Sequence, residues 1–162
     1  MNSRRNLAGG LLAVGGVVMM LATFLTRATV SGGTISIDVN GYSAGSVDGF
    51  VTDAFAVAFI VLGILVVRTP PRTWVSVVST VFAVLGAGWA LLVMGTTNNS
   101  SISADATAAG VTVTVGFGVV VLIIGAFAAL LGAVASFYGR VSAPPAGAWT
   151  RSASASPPPP SA

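Results

Sequence analysis

Four long stretches of this chain carry no charged residue, and almost all of its charges fall in the gaps between them. Such a pattern is hidden from water by threading it through lipid, since roughly 20 apolar helical residues cover a hydrocarbon layer of roughly 30 Å. The first stretch predicts a helix over 7–26. The second apolar run, which stops at Arg68, is too short by itself. Its helix must begin upstream near Phe50 and run over 50–67, taking Asp53 with it. A third helix is expected over 73–95, with Trp74 at an interface. The fourth, over 115–138, closes on Phe137, Tyr138 and Arg140. The expected fold class is all-α integral membrane: a four-transmembrane-helix bundle over 1–140, with outer loops at 27–49 and 96–114.

Composition supports the same class. Hydrophobic residues make up 54% of the chain and charged residues 7%, against about 25% charged in a soluble domain; the mean hydropathy is +0.93. Cysteine and histidine are absent, which removes disulfides, thiolate chemistry, imidazole catalysis and the usual ligands of zinc, haem iron and copper. No cofactor or metal is expected, and no nucleophile with its base or phosphate-cradling motif is found, so the chain is not expected to be an enzyme. The arginines are scattered, which argues against nucleic acid as a partner.

Orientation follows from the same arginines. Arg4, Arg5, Arg68, Arg72, Arg140 and Arg151 fall on one side of a four-helix topology and Arg27 alone on the other. Basic residues beside membrane segments tend to stay in the cytoplasm, so both termini are expected there and the protein is expected in the plasma membrane as a multi-pass chain. The N-terminal apolar run is longer than the 7–15 residues of a signal h-region, which favours a retained anchor over a cleaved signal.

The loops carry local patterns. Residues 34–39 alternate Ile35, Ile37 and Val39 and are followed by Asn40-Gly41, which predicts a small extracytoplasmic β-hairpin. Residues 111–115 alternate Val and Thr; they fit either a third strand or the top of the fourth helix, and we assign the helix. Residues 101–105 echo 34–38, so the halves read either as a duplication or as chance similarity in a low-diversity sequence. Residues 141–162, rich in Pro, Ser and Ala, are expected to form a disordered cytoplasmic tail.

Two features are candidates for function. Glycines recur every seven residues as Gly118, Gly125, Gly132 and Gly139, with the same step in Gly9 and Gly16 and in Gly88 and Gly95. Seven residues are nearly two turns, so each set marks one smooth face on which helix backbones can approach closely. That face either packs the bundle itself or receives another integral membrane protein. Asp53 is the candidate intramembrane carboxylate, read either as part of an ion or proton path or, with Thr52, as the cap of its helix; with no basic residue expected at its depth, the cap is favoured.

The layout of four helices with a β-bearing first loop looks like the claudin-type tetraspan arrangement, but that loop has no Trp and the chain no cysteine. In size, layout, alanine-, valine- and glycine-rich helices and proline-rich tail, the whole chain resembles small actinobacterial membrane proteins, among them accessory subunits of the cytochrome bcc-aa3 respiratory supercomplex. That resemblance implies a non-catalytic accessory or scaffolding subunit packed against cytochrome oxidase subunits within the lipid bilayer. The alternatives are an envelope or signalling protein acting through its outer loops, and a small transporter or channel using Asp53.

Overall fold

The computed structural model describes residues 2–43, 47–69, 73–97 and 110–141. In chain order the elements are α1 (Asn2–Phe24), β1 (Ala28–Gly32), β2 (Ile35–Val39), α2 (Asp48–Arg68), α3 (Thr73–Thr97), β3 (Val111–Val115) and α4 (Phe117–Val141). Among the described residues four helices are long and apolar enough to cross a membrane. The proline-rich tail, the loop echo at 101–105 and the surroundings of Gly139 lie outside the described residues.

Helix limits follow hydrogen bonding more than hydropathy, which moves several boundaries from those expected. α1 begins in the polar turn that holds Arg4 and Arg5, because lipid exposure is not required for backbone pairing. It stops at Phe24, two residues early, where the chain peels away towards β1. α2 starts at Asp48 and closes at Arg68, with Thr69 N–H bonding Leu65 O at 2.9 Å. Thr69 itself is extended, with ψ 141°, as the following Pro70 demands.

The helices form a ring of antiparallel neighbours: α1 packs on α2 and α4, and α3 on α4 and α2. Small side chains dominate the core. Ala56, Ala83, Ala90, Ala126, Ala129 and Ala133 are buried there around Leu12, Met19, Phe59 and Leu122. With little hydrophobic drive between helices in lipid, such close backbone contact is what holds a bundle together. At the end remote from the strands, Ser136 Oγ lies 3.5 Å from Ser76 Oγ and donates to Ala133 O at 2.7 Å.

The other end carries a three-stranded antiparallel sheet in the order β2-β1-β3. This corrects two expectations. The hairpin turn is not Asn40-Gly41: Gly32 pairs with Ile35, so Gly33-Thr34 makes the turn, with Gly33 at φ +60°. A two-residue turn with glycine in that conformation at its first position matches the twist of the strands it joins. Residues 111–115 are also not helical but form β3, on the free side of β1. Their period-two pattern finds partners there, as Val30 opposite Val113 and Ala28 opposite Val115.

Register sorts the sheet by face. Ala28, Val30 and Gly32, with their partners Val39, Ile37 and Ile35 and Val115, Val113 and Val111, share one wholly apolar face. The opposite face carries Thr29, Ser31, Ser36, Asp38, Thr112 and Thr114. Thr29 Oγ1 donates to Asp38 Oδ1 at 2.7 Å, and the hydroxyls of Ser31 and Ser36 lie 3.2 Å apart on that face.

Candidate functional site

The sheet meets the bundle at a polar knot centred on Arg27. Its backbone serves both neighbouring strands' ends: Arg27 N–H bonds Val39 O at 2.7 Å, and Gly116 N–H bonds Arg27 O at 2.7 Å. On either side, Gly41 N–H reaches Thr23 O at 3.0 Å and Gly118 N–H reaches Thr26 O at 2.8 Å. A side chain on Gly41 would meet the Arg27 guanidinium at 3.0 Å, so Asn40-Gly41 serves this close approach and not the hairpin.

The Arg27 side chain is only 5% exposed and turns into the bundle. Its Nη2 donates to Thr52 Oγ1 of α2 at 3.2 Å, and Trp89 Nε1 of α3 donates to the same oxygen at 3.2 Å. Thr52 in turn donates to Asp48 O at 2.6 Å. One O–H and two lone pairs are all a hydroxyl offers, so Thr52 is fully used in joining three segments.

Asp53 accepts a hydrogen bond from the Tyr42 hydroxyl. The Tyr42 ring sits between Phe24 and Phe50, with centroids 5.5 Å from each. Burial lowers the pKa of Arg27, against the pull of Asp48, then Asp53, then Tyr42. The hydrogen bond to Asp53 raises the pKa of Tyr42, with burial adding, while Thr23 and Arg27 oppose. Arg27 Nε and Nη1 and Asp53 Oδ1 are buried without a hydrogen-bond partner.

Both halves of the reading of Asp53 as a cap are therefore corrected. The cap position is Val47, with no side-chain cap bond, and Asp48 is the acidic residue of the first turn; Thr52 and Asp53 lie one turn further in. A basic residue does stand near its depth, because Arg27 folds back from the strand side. Sequence reasoning missed Arg27, Tyr42 and Trp89 as members of this group. The usable signal was that Arg27 alone broke the arginine asymmetry, which a residue buried in a polar network is free to do. Among the described residues no cluster of three acidic side chains could hold a metal ion.

The heptad glycines divide between two surroundings. On α4, Gly125 and Gly132 face α1, with a Cβ 2.9 Å from Gly15 O and 2.7 Å from Leu12 N respectively, and Gly118 faces the chain just past α1, with a Cβ 2.9 Å from Leu25 O. On α1, Gly9 and Gly16 face α2, with a Cβ 2.7 Å from Gly63 O and 2.6 Å from Ala56 O. Gly88 and Gly95 of α3 differ, since a Cβ at either meets nothing within 4 Å among the described residues. The packed glycine of α3 is Gly86, against Phe59 at 2.7 Å. Two residues are about 200° of helix, which puts Gly88 on the side opposite Gly86.

These features define the class of the chain as a multi-pass membrane protein, mainly helical, with a small three-stranded sheet at one end of four apolar helices. Beyond that class, no protein-family model, characterised protein or solved structure matches it.

Proposed function

We propose that the chain is a non-catalytic accessory or scaffolding subunit of a larger membrane assembly, docked through the free side of α3. The observation that carries this reading is the open pair Gly88 and Gly95. Among the described glycines of α1 and α4 only Gly10 is open and the others are taken up by packing within the bundle, and 28% of the α3 span is buried, against 33% for α2 and 44% for α1 and for α4. A glycine in a lipid-facing helix interior weakens that helix without return, unless another backbone comes close to it.

In this reading the termini lie in the cytoplasm, the sheet lies on the opposite face of the plasma membrane, and the partner is an integral membrane protein. The resemblance to respiratory accessory subunits makes cytochrome oxidase subunits the first partner to test. Transport through Asp53 has less support, because the groups around it are engaged in joining the sheet to the helices.

The test is mild-detergent extraction of a tagged chain from its native membrane, native-gel separation, and mass spectrometry of what co-migrates. Stoichiometric co-migration with one large complex is expected. A chain running alone or as a small homo-oligomer contradicts the proposal, and transport by Asp53→Asn against the unaltered chain then becomes the deciding assay.

A further inference from the structure

The apolar face of the sheet is open at Ile35 and Ile37 of β2 and at Val115, and half-buried at Val30, Val39, Val111 and Val113. Ile35 is 65% exposed, Ile37 59% and Val115 46%, and no charged or hydroxyl side chain shares their face. We propose that this face lies against the lipid surface of the leaflet at the sheet end, with the hydroxyl-bearing face turned to water. The proposal needs only that the four helices span a bilayer, and it is independent of the subunit reading.

Size argues against a protein as the occupant. Three strands of five residues, at about 3.3 Å per residue and about 4.8 Å between strands, present a face of roughly 240 Å². A stable protein interface needs roughly 800 Å² from each partner. A lipid surface sets no such minimum, since binding grows with the apolar area inserted.

Position points to lipid as well. One residue, Gly116, separates Val115 from Phe117 at the start of α4, so their Cα atoms lie within about 7.6 Å. Phe117 is 69% exposed, Phe50 69% and Phe24 62%, and all three stand at the helix ends beneath the sheet. Tyr42 packs between Phe24 and Phe50, and such amphipathic rings settle at headgroup depth. The sheet's near row thus starts at the membrane boundary. Backbone bonds from Arg27 to Val39, from Gly116 to Arg27 and from Gly41 to Thr23 hold it there. Its one carboxylate, Asp38, is on the other face, bonded by Thr29.

The chain has no cysteine, so single labels are simple to place. Ile37→Cys and Val113→Cys report on the apolar face from two different strands, and Ser36→Cys reports on the polar face. Each full-length variant carries a polarity-sensitive fluorophore in phosphatidylcholine–phosphatidylglycerol vesicles. We expect labels at 37 and 113 to be quenched several-fold more by lipids spin-labelled near the headgroup than the label at 36, and several-fold less by aqueous iodide. Equal quenching of both faces, in either variant pair, overturns the proposal. So does a label at 37 or 113 that is shielded in native membranes yet open to iodide in pure lipid vesicles, which assigns the face to a protein.

Discussion

Arg27 and Thr52, 25 positions apart, meet through a buried hydrogen bond of 3.2 Å, and that contact joins the sheet to the helices. Arg27 is the residue before β1 and bonds Val39 and Gly116 through its backbone, while Thr52 belongs to α2 and also receives Trp89 from α3. A change at Thr52 therefore reaches every layer of the molecule.

Thr52→Val keeps the shape but leaves the donors of Arg27 and Trp89 without their acceptor. A buried donor left unsatisfied costs about 1–3 kcal/mol. Trp89→Phe, which removes one donor and leaves the hydroxyl its other partners, is expected to cost less, about 1 kcal/mol. Thermal unfolding of the detergent-solubilised variants checks both the size and the order.

Tyr42 gives the fold an alkaline limit. Its pKa is raised, chiefly by the hydrogen bond to Asp53, above the ordinary 10.0. The folded chain therefore holds this proton more tightly than the unfolded one. The stability it contributes is complete below pH 10 and is lost as pH rises through the raised folded value. Arg27 works with the opposite sign: burial lowers its pKa, so its charged form weakens the fold, and that cost fades only as pH climbs through the lowered value. Comparison with Tyr42→Phe isolates the tyrosine. The stability gap between the two proteins, measured from pH 8 to 11.5 in an alkali-stable detergent, is expected to be constant at first and then to narrow above about pH 10.

The same substitution should destabilise the chain at Gly125 and leave it nearly unchanged at Gly88. At Gly125 a Cβ lies 2.9 Å from Gly15 O and from Met19 N, both backbone atoms, so Gly125→Leu must push α1 and α4 apart. Overpacking of this kind costs about 1–3 kcal/mol or more. At Gly88 the space is open, and Gly88→Leu is expected to leave the isolated chain within about 0.5 kcal/mol of its original stability. Unfolding of the purified variants in one detergent separates the two outcomes.

Gly33 sets the hairpin. At φ +60° it occupies the left-handed region, where a side chain costs roughly 1–2 kcal/mol. Gly33→Val is expected to loosen the strands while sparing the helices. Hydrogen exchange should rise at the amides of β1 and β2 and stay unchanged in α1 and α4.

Much of this architecture was legible from sequence. Apolar length alone located the four helices, because a bilayer imposes it and few other environments do. Strand β2 was visible in the alternation of Ile35, Ile37 and Val39. Its turn was misplaced because Asn40-Gly41 has the better hairpin chemistry, whereas Gly33-Thr34 has the right register. The alternation at 111–115 fitted strand β3 as well as the top of the last helix, and the helix was assigned because the strand's partner is remote: Thr112 meets Ser31 across 81 positions.

The knot was hidden for a related reason. Asp53 stood out as a carboxylate in an apolar helix, but Tyr42 reaches it from a loop and Arg27 bonds the neighbouring Thr52 from the strand side, so the group exists only once the chain has folded. The seven-residue step in α3 was read as a packing face like those of α1 and α4. Gly86, two positions from Gly88, is the residue that packs, and it shares its buried stripe with Val75, Ser76, Ser79, Ala83, Ala90 and Val93. A heptad shows which residues share a face, and cannot show whether that face looks inward.

The most direct test of the docking role is the native-gel migration of a Gly88→Phe and Gly95→Phe double variant extracted from its own membrane. Because a Cβ at either position meets nothing within 4 Å among the described residues, the account predicts a folded protein with unchanged thermal stability that has left the large complex and migrates alone. Co-migration of the double variant with that complex, at the same stoichiometry as the unaltered chain, would contradict it.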